Sequence, residues 1–161
     1  MVRRAQISDA DSIAGIIASA WQNAYTGIID SDYPASISRD KYSGIFTDII
    51  RDEAQTVFVF EKNKSVLGFT SGKIQDGKYD SEVIGLYILP EEQGNGIGGI
   101  LLDEMMKHFK NENCNNMIIW TLLGAENNSF YRKHGGAGKE FKEIKIGKEK
   151  YPGIGFVFNL Q

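Results

Sequence analysis

A single cysteine in 161 residues leaves no internal disulfide to form. Cys114 lies in the polar stretch Asn111–Asn116 with no histidine near it in sequence, which fits an idle thiol better than a nucleophile. The only two histidines, His108 and His134, stand in no pattern for metal ligation or a catalytic triad, so no metal site is expected. An excess of positive charge is also missing. Eighteen Lys and Arg against 21 Asp and Glu give a net charge of −3 and a pI near 5.4. That balance argues against a nucleic-acid surface. It suits a cationic small molecule, although a slightly acidic surface serves solubility equally well. No window reaches the apolar length of a membrane helix, and MVRRAQISDADS carries two arginines with no apolar stretch behind them. Neither a membrane partner nor a secretory leader is expected, and the reading is cytoplasmic. No repeat, low-complexity tract or linker divides the chain, so residues 1–161 are expected to form one domain.

What is present is an alternation of apolar patterns. Val2–Ile7 reads as a short first strand. A helix capped by Ser8 or Asp9 then runs to about Ala24, with Ile13, Ile16, Ile17, Ala20 and Trp21 along one stripe. A loop covers Tyr25–Pro34, and a second helix spans Ser38–Arg51. Thr56–Glu61 and Val66–Ile74 are strands joined by a hairpin turn at Lys62–Lys64. Glu82–Leu89 is a strand stopped by Pro90. Ile97, Leu101, Met105 and Phe109 then recur every four positions, as in an amphipathic helix. Asn116–Leu123 reads as a buried strand and Glu126–Lys133 as a short helix ended by Gly135-Gly136. Lys139–Ile146 and Ile154–Leu160 complete the chain as two strands around a turn at Pro152-Gly153. The order β-α-α-β-β-β-α-β-α-β-β predicts a mixed α/β fold with one central βαβ unit.

Between the strand ending near Leu89 and the helix starting near Ile97, the chain reads PEEQGNGIGG. Gly98 and Gly99 fall in the helix's first turn, where each costs up to about 1 kcal/mol relative to alanine. A P-loop would end in Gly-Lys-Ser/Thr, and this one continues Gly98-Gly99-Ile100. Gly94, Gly96 and Gly99 spell the dinucleotide fingerprint. However, Glu91–Gln93 separate them from their strand, at least three strands precede, and no acidic residue closes the following strand. What fits is Gln/Arg-x-x-Gly-x-Gly/Ala, matched by Gln93-Gly94-Asn95-Gly96-Ile97-Gly98.

On these residues the sequence resembles the GCN5-related N-acetyltransferase (GNAT) family over nearly its whole length. The strand Glu82–Ile88 followed by Pro90, the pair Phe130-Tyr131 before Gly135, and Trp21-Gln22-Asn23-Ala24-Tyr25-Thr26-Gly27 add to the likeness. The physics agrees, because successive N–H groups at a helix start form an anion site and glycines let a pyrophosphate approach them.

The resemblance implies the GNAT fold, a mostly antiparallel mixed sheet flanked by helices, with acetyl-CoA as co-substrate and no metal. It places the pantetheine arm on the main chain of Leu86, Tyr87 and Ile88, and the pyrophosphate on Gln93, Gly94, Asn95, Gly96, Ile97, Gly98 and Gly99. An N–H near Ile88 could also stabilise the thioester oxyanion. Glu82 is the expected base and Tyr131 the group facing the departing thiolate, Tyr131 also being counted in the cofactor site. The family's usual asparagine, seven positions before that tyrosine, is Gly124 here, and Asn127 or Asn128 is the expected substitute, Asn127 being counted in the cofactor site. Trp21, Tyr25 and Tyr33 are candidate acceptor-lining residues, with Asp30 and Asp32 able to attract a cation. The expected reaction is acetyl transfer to a primary amine of a small molecule or peptide, by direct attack in a ternary complex. The alternative is a catalytically silent CoA-binding module. A C-terminal edge strand could also pair across a homodimer.

Overall fold

Ser38 opens the second helix by accepting the Lys41 N–H at 3.2 Å, one of the local signals that sort the chain into its elements. In order these are β1 (Val2–Arg4), α1 (Ala10–Ala24), α2 (Arg39–Arg51), β2 (Thr56–Lys62), β3 (Ser65–Ile74), β4 (Ser81–Ile88), α3 (Ile97–Asn111), β5 (Asn116–Leu122), α4 (Asn127–Lys133), β6 (Ala137–Ile146) and β7 (Glu149–Asn159). The computed structural model describes residues 1–24, 27–29 and 38–161, with the backbone alone at 22–24. The expected order of seven strands and four helices is observed among them.

The strands form one sheet in the order β1-β2-β3-β4-β5-β7-β6. Every adjacent pair is antiparallel except β4 and β5, which the α3 crossover makes parallel. Two glycine-free positions turn the β2–β3 hairpin: Asn63 and Lys64 both hold positive φ, at 52° and 64°, the conformation whose twist matches the flanking strands.

Each face of the sheet buries a different helix set. Ile97, Leu101, Leu102, Met105 and Phe109 of α3 meet Val83, Met117, Ile119, Phe156 and Phe158 on one face. Ile13, Ile16 and Ile17 of α1 with Phe46 of α2 cover Val57, Val59 and Phe69 on the other. The four-residue stripe read from α3 is therefore its buried side. Among the described residues no helix is long and apolar enough to cross a membrane.

Apart from shifts of one or two residues at element ends, two features differ from expectation. The first strand ends at Arg4 rather than Ile7, because the Asp9 carboxylate accepts the Gln6 N–H at 2.7 Å and is gripped by Arg3 at 2.8 and 2.9 Å. This winds Ile7–Asp9 into a short 3-10 turn ahead of α1. Pro152-Gly153 is not a turn but the middle of β7; the reversal lies at Gly147, φ +63°. In a strand, a residue's N and C=O point the same way. The Pro152 oxygen accepts the Leu123 N–H at 3.0 Å, so its nitrogen faces the end of β5 and the β6 ladder loses no donor.

Candidate active site

Parallel strands β4 and β5 share only two rungs, Glu82 with Ile118 and Val83 with Ile119. Beyond them the strands part. The closed end of this wedge is fastened by side chains: Asp80 Oδ2 accepts the Asn115 N–H at 2.7 Å, Asn116 Oδ1 accepts the Asp80 N–H at 2.7 Å, and the Ser81 hydroxyl donates to the Asn116 carbonyl at 2.9 Å. Just past the last rung, β4 bulges. Ser71 pairs with Gly85 but Gly72 with Val83, so Ile84 is the extra residue, and a bulge of this kind twists the strand away from its neighbour.

The bulge and the alternation of the ladder decide which amides line the opening. Leu89 donates its N–H to Leu67 in β3 at 2.9 Å. N–H direction alternates along a strand, so Tyr87 also faces β3, while the N–H groups of Leu86 and Ile88 point into the gap. Of the three residues expected to offer main chain to an extended ligand, Leu86 and Ile88 turn their N–H groups to the gap and Tyr87 turns its N–H to β3. The Tyr87 ring lies on the opposite face, 5.7 Å from Phe69.

The gap leads to the start of α3. Gly96 is its N-cap in the left-handed region at φ +82°, with no side-chain cap, and Gly94 holds φ +83°. A β-carbon at either would meet nothing within 4 Å, so these glycines are there for their backbone angles. The first helical bond runs from the Ile100 N–H to Gly96. The N–H groups of residues 94–99 have no acceptor among the described residues. No acidic side chain occupies this first turn. Gln93 and Asn95 are exposed beside it.

Gly98 and Gly99 have an additional explanation that the sequence did not disclose. A β-carbon on Gly98 would lie 3.3 Å from Phe130 Cζ, and one on Gly99 would lie 2.9 Å from His134 Cε1. The Phe130 ring of α4 and the ring of His134, the residue that ends it, lie 4.4 Å apart at a tilt of 46° and close against the first turn of α3. The Phe130/His134 spacing of four was visible, but not what it faced.

Of the proposed catalytic pair, Glu82 is half-buried at the closed end of the wedge, and Tyr131 is 4% exposed. They occupy opposite faces. Tyr131 belongs to the α3 core, its ring 5.5 Å from Phe156. Glu82 alternates with Val83, which faces that core, and so points to the other side. Trp21 packs against both the α1 core and the small cluster around Leu122 of β5, bridging the parted strands on the Glu82 side. Tyr25, Tyr33, Asp30 and Asp32 lie outside the described residues.

Asn127 and Asn128 divide their work. Asn128 is 5% exposed and structural: its Nδ2 donates to the Leu122 carbonyl at 2.9 Å and its Oδ1 accepts the Gly124 N–H at 3.2 Å, shaping the turn from β5 into α4. Asn127 Oδ1 accepts from Thr121 on β5 at 3.0 Å and from Asn128 at 3.1 Å. The Asn127 amide nitrogen is left without a described partner. Sequence reasoning missed the Asn128 role, although the Asn-Asn pair after a glycine was its one signal. Arg132 lies 5.3 Å over the Phe156 ring, and Arg132, Lys133 and Lys107 are all exposed.

Comparison with known proteins gives a consistent picture. Residues 18–136 match the family model described as "Acetyltransferase (GNAT) family". An uncharacterized N-acetyltransferase, YuaI, of Bacillus subtilis is 29% identical, the match covering 91% of each chain. A spermidine N(1)-acetyltransferase of Thermoplasma acidophilum is 28% identical over 83% of this chain and 86% of its own. A crystal structure of PaiA N-acetyltransferase from Thermoplasma acidophilum in complex with coenzyme A superposes with a TM-score of 0.78. It is 24% identical and is matched over 99% of this chain and 98% of that one.

Proposed function

Because the chain belongs to the GNAT family of acetyltransferases and is an N-acetyltransferase, we propose that it moves an acetyl group from acetyl-CoA to a primary amine by direct attack in a ternary complex. The observation that carries this reading is the two-rung ladder, which leaves a row of outward N–H groups on β4 running into the bare start of α3. That row fits an extended, amide-bearing arm ending in a diphosphate. Bound there, acetyl-CoA supplies an activated acyl carbon and a thiolate leaving group.

Each residue's part follows from its position. The N–H groups of residues 94–99, with Gln93 beside them, hold the diphosphate. Leu86 and Ile88 hold the arm through their N–H groups, and Asn127 adds an amide donor from the β5 side. An aliphatic ammonium of pKa about 10.4 costs about 5 kcal/mol to deprotonate at pH 7. Glu82, on the face away from α3, accepts that proton directly or through water. Tyr131, on the α3 side, meets the departing sulfur with a hydrogen bond. A thiol of pKa about 8.5 leaves more readily than a tyrosine of pKa about 10 gives up its proton, so stabilisation rather than transfer is its role. A base on one face and a sulfur partner on the other suit an acceptor and a cofactor that enter from opposite sides. A relative named for spermidine and a net charge of −3 favour a cationic small molecule over a neutral one.

Calorimetric titration with acetyl-CoA tests the first half, and absence of binding at millimolar ligand removes it. Glu82→Gln is expected to lower kcat/KM about 100-fold, with the loss changing across mildly acid to mildly alkaline pH. Tyr131→Phe is expected to lower kcat with KM little changed. A variant whose kcat/KM matches the parent's from mildly acid to mildly alkaline pH clears its residue of the assigned role. Binding without released CoA thiol across an amine panel marks a silent binding module instead.

A further inference from the structure

The face of the sheet that carries Glu82 continues past the parted strands onto β5, β7 and β6, where Trp21 of α1 reaches the cluster around Leu122 and Trp120 is half-buried. Glu82 is in register with Ile118, and neighbours in register project to the same face. A β-carbon at Gly155 would lie 2.9 Å from Ile118 Cδ1, 3.0 Å from Glu140 Cβ and 3.2 Å from Trp120 Cη2. Ile118, Trp120 and Glu140 therefore share that face, leaning over a strand position that has no side chain of its own.

This surface already attracts ammonium groups. Lys142 places its Nζ 4.1 Å from the centre of the Trp120 ring, and Lys78 donates to Glu140 at 2.7 Å. Glu140 has a second donor in the Tyr79 hydroxyl. Lys142 has no carboxylate partner of its own among the described residues. It is exposed, on the edge strand β6, with a flexible stem that can swing to solvent.

We infer that the Trp120 ring is a subsite for the distal ammonium of a diamine acceptor, and that Lys142 is its resident competitor. The inference rests on the transferase reading above, which places the reacting amine at Glu82. Trp120 stands one residue past the last rung on the neighbouring strand, its Cα about 8 Å from that of Glu82 from strand spacings. That separation suits a short aliphatic diamine with one nitrogen at the carboxylate and the other over the ring. The ring's quadrupole attracts a quaternary or primary ammonium alike, whereas a neutral alkyl end gains only contact area. Discrimination between a diamine and a monoamine of equal length is what this arrangement provides.

The test is binding of 1,4-diaminobutane and n-butylamine to the CoA-saturated protein, read by calorimetry and independent of turnover. Lys142→Met is expected to tighten 1,4-diaminobutane about threefold and leave n-butylamine unchanged. Trp120→Leu is expected to weaken 1,4-diaminobutane about threefold, Trp120→Phe to retain most of the affinity, and the gain from Lys142→Met to vanish in the Trp120→Leu background. Lys142 is a surface residue whose replacement leaves the fold intact, so its result stands even if Trp120→Leu is poorly folded. A preference for the diamine that survives Trp120→Leu, or a Lys142→Met protein that binds both amines as the parent does, overturns the inference. Acetyl-CoA titration of the parent reports separately on the transferase reading.

Discussion

Replacing Gly96 by alanine isolates the backbone contribution of the α3 entry from packing. At φ +82° a β-carbon costs about 1–2 kcal/mol against the following carbonyl, and since nothing lies within 4 Å of it no clash adds to that. The smaller unfolded-state entropy of alanine returns about 0.4–1 kcal/mol. A net loss of about 1 kcal/mol remains, or about 2–4 °C in melting temperature for a chain of this size. Gly98→Ala, two residues on, is the control. Its β-carbon sits 3.3 Å from the Phe130 ring edge, a contact that small ring movement relieves, and helix propensity returns up to about 1 kcal/mol. The two substitutions should therefore differ in sign. Any rotation that relieves strain at residue 96 turns the neighbouring N–H groups away from the gap, so acetyl-CoA should bind Gly96→Ala about tenfold more weakly, the worth of one charge-assisted hydrogen bond. Urea denaturation at constant m-value and calorimetry read the two effects. A Gly96→Ala protein with the parent's stability and affinity refutes the backbone argument.

Asn128→Ala removes the acceptor of the Gly124 N–H and one of the two donors to the Leu122 carbonyl, which keeps the Ala125 N–H at 3.2 Å, and should cost about 1–2 kcal/mol in urea unfolding; a loss within error of zero contradicts its structural role. His108 is held below its usual pKa chiefly by burial, and secondarily by the charge of Arg4. The neutral ring is bonded to Thr56 at 3.0 Å. The unfolded chain then binds the proton more readily than the folded one, so this contribution is complete above about pH 6.5 and is lost as pH falls through the folded-state value. His108→Gln should flatten the fall in stability as pH drops below about 6.5, measured by urea midpoints, and an unchanged slope rules the ring out as its source.

Much of the architecture was legible because local signals and long-range packing agree. The four-residue stripe of α3 is its buried face, and two residues that tolerate positive φ turn the β2–β3 hairpin. The Pro152-Gly153 turn failed for a physical reason. A proline in a strand is tolerated when its nitrogen faces the end of a shorter neighbour, and the length of β5 cannot be read from β7. Of the candidate site, the Gln93–Gly99 loop was visible as a motif. What Gly98 and Gly99 face, which of the Leu86, Tyr87 and Ile88 amides turn outward, and which face Trp120 shares with Glu82 all depend on register between strands far apart in sequence. Local pattern carries no register information across such distances.

The two rungs between β4 and β5 have a mechanical consequence. A sheet stitched at one short seam is two plates, one of four strands and one of three, joined by the Asp80–Asn116 clasp and by the shared core under α3. Under the proposed function, acetyl-CoA lying in the crevice would supply the missing cross-ties and finish the sheet with something the chain does not encode. Hydrogen exchange should register this as slowed amides at Leu86 and Ile88 when the crevice is filled, and as stiffening of both plates together.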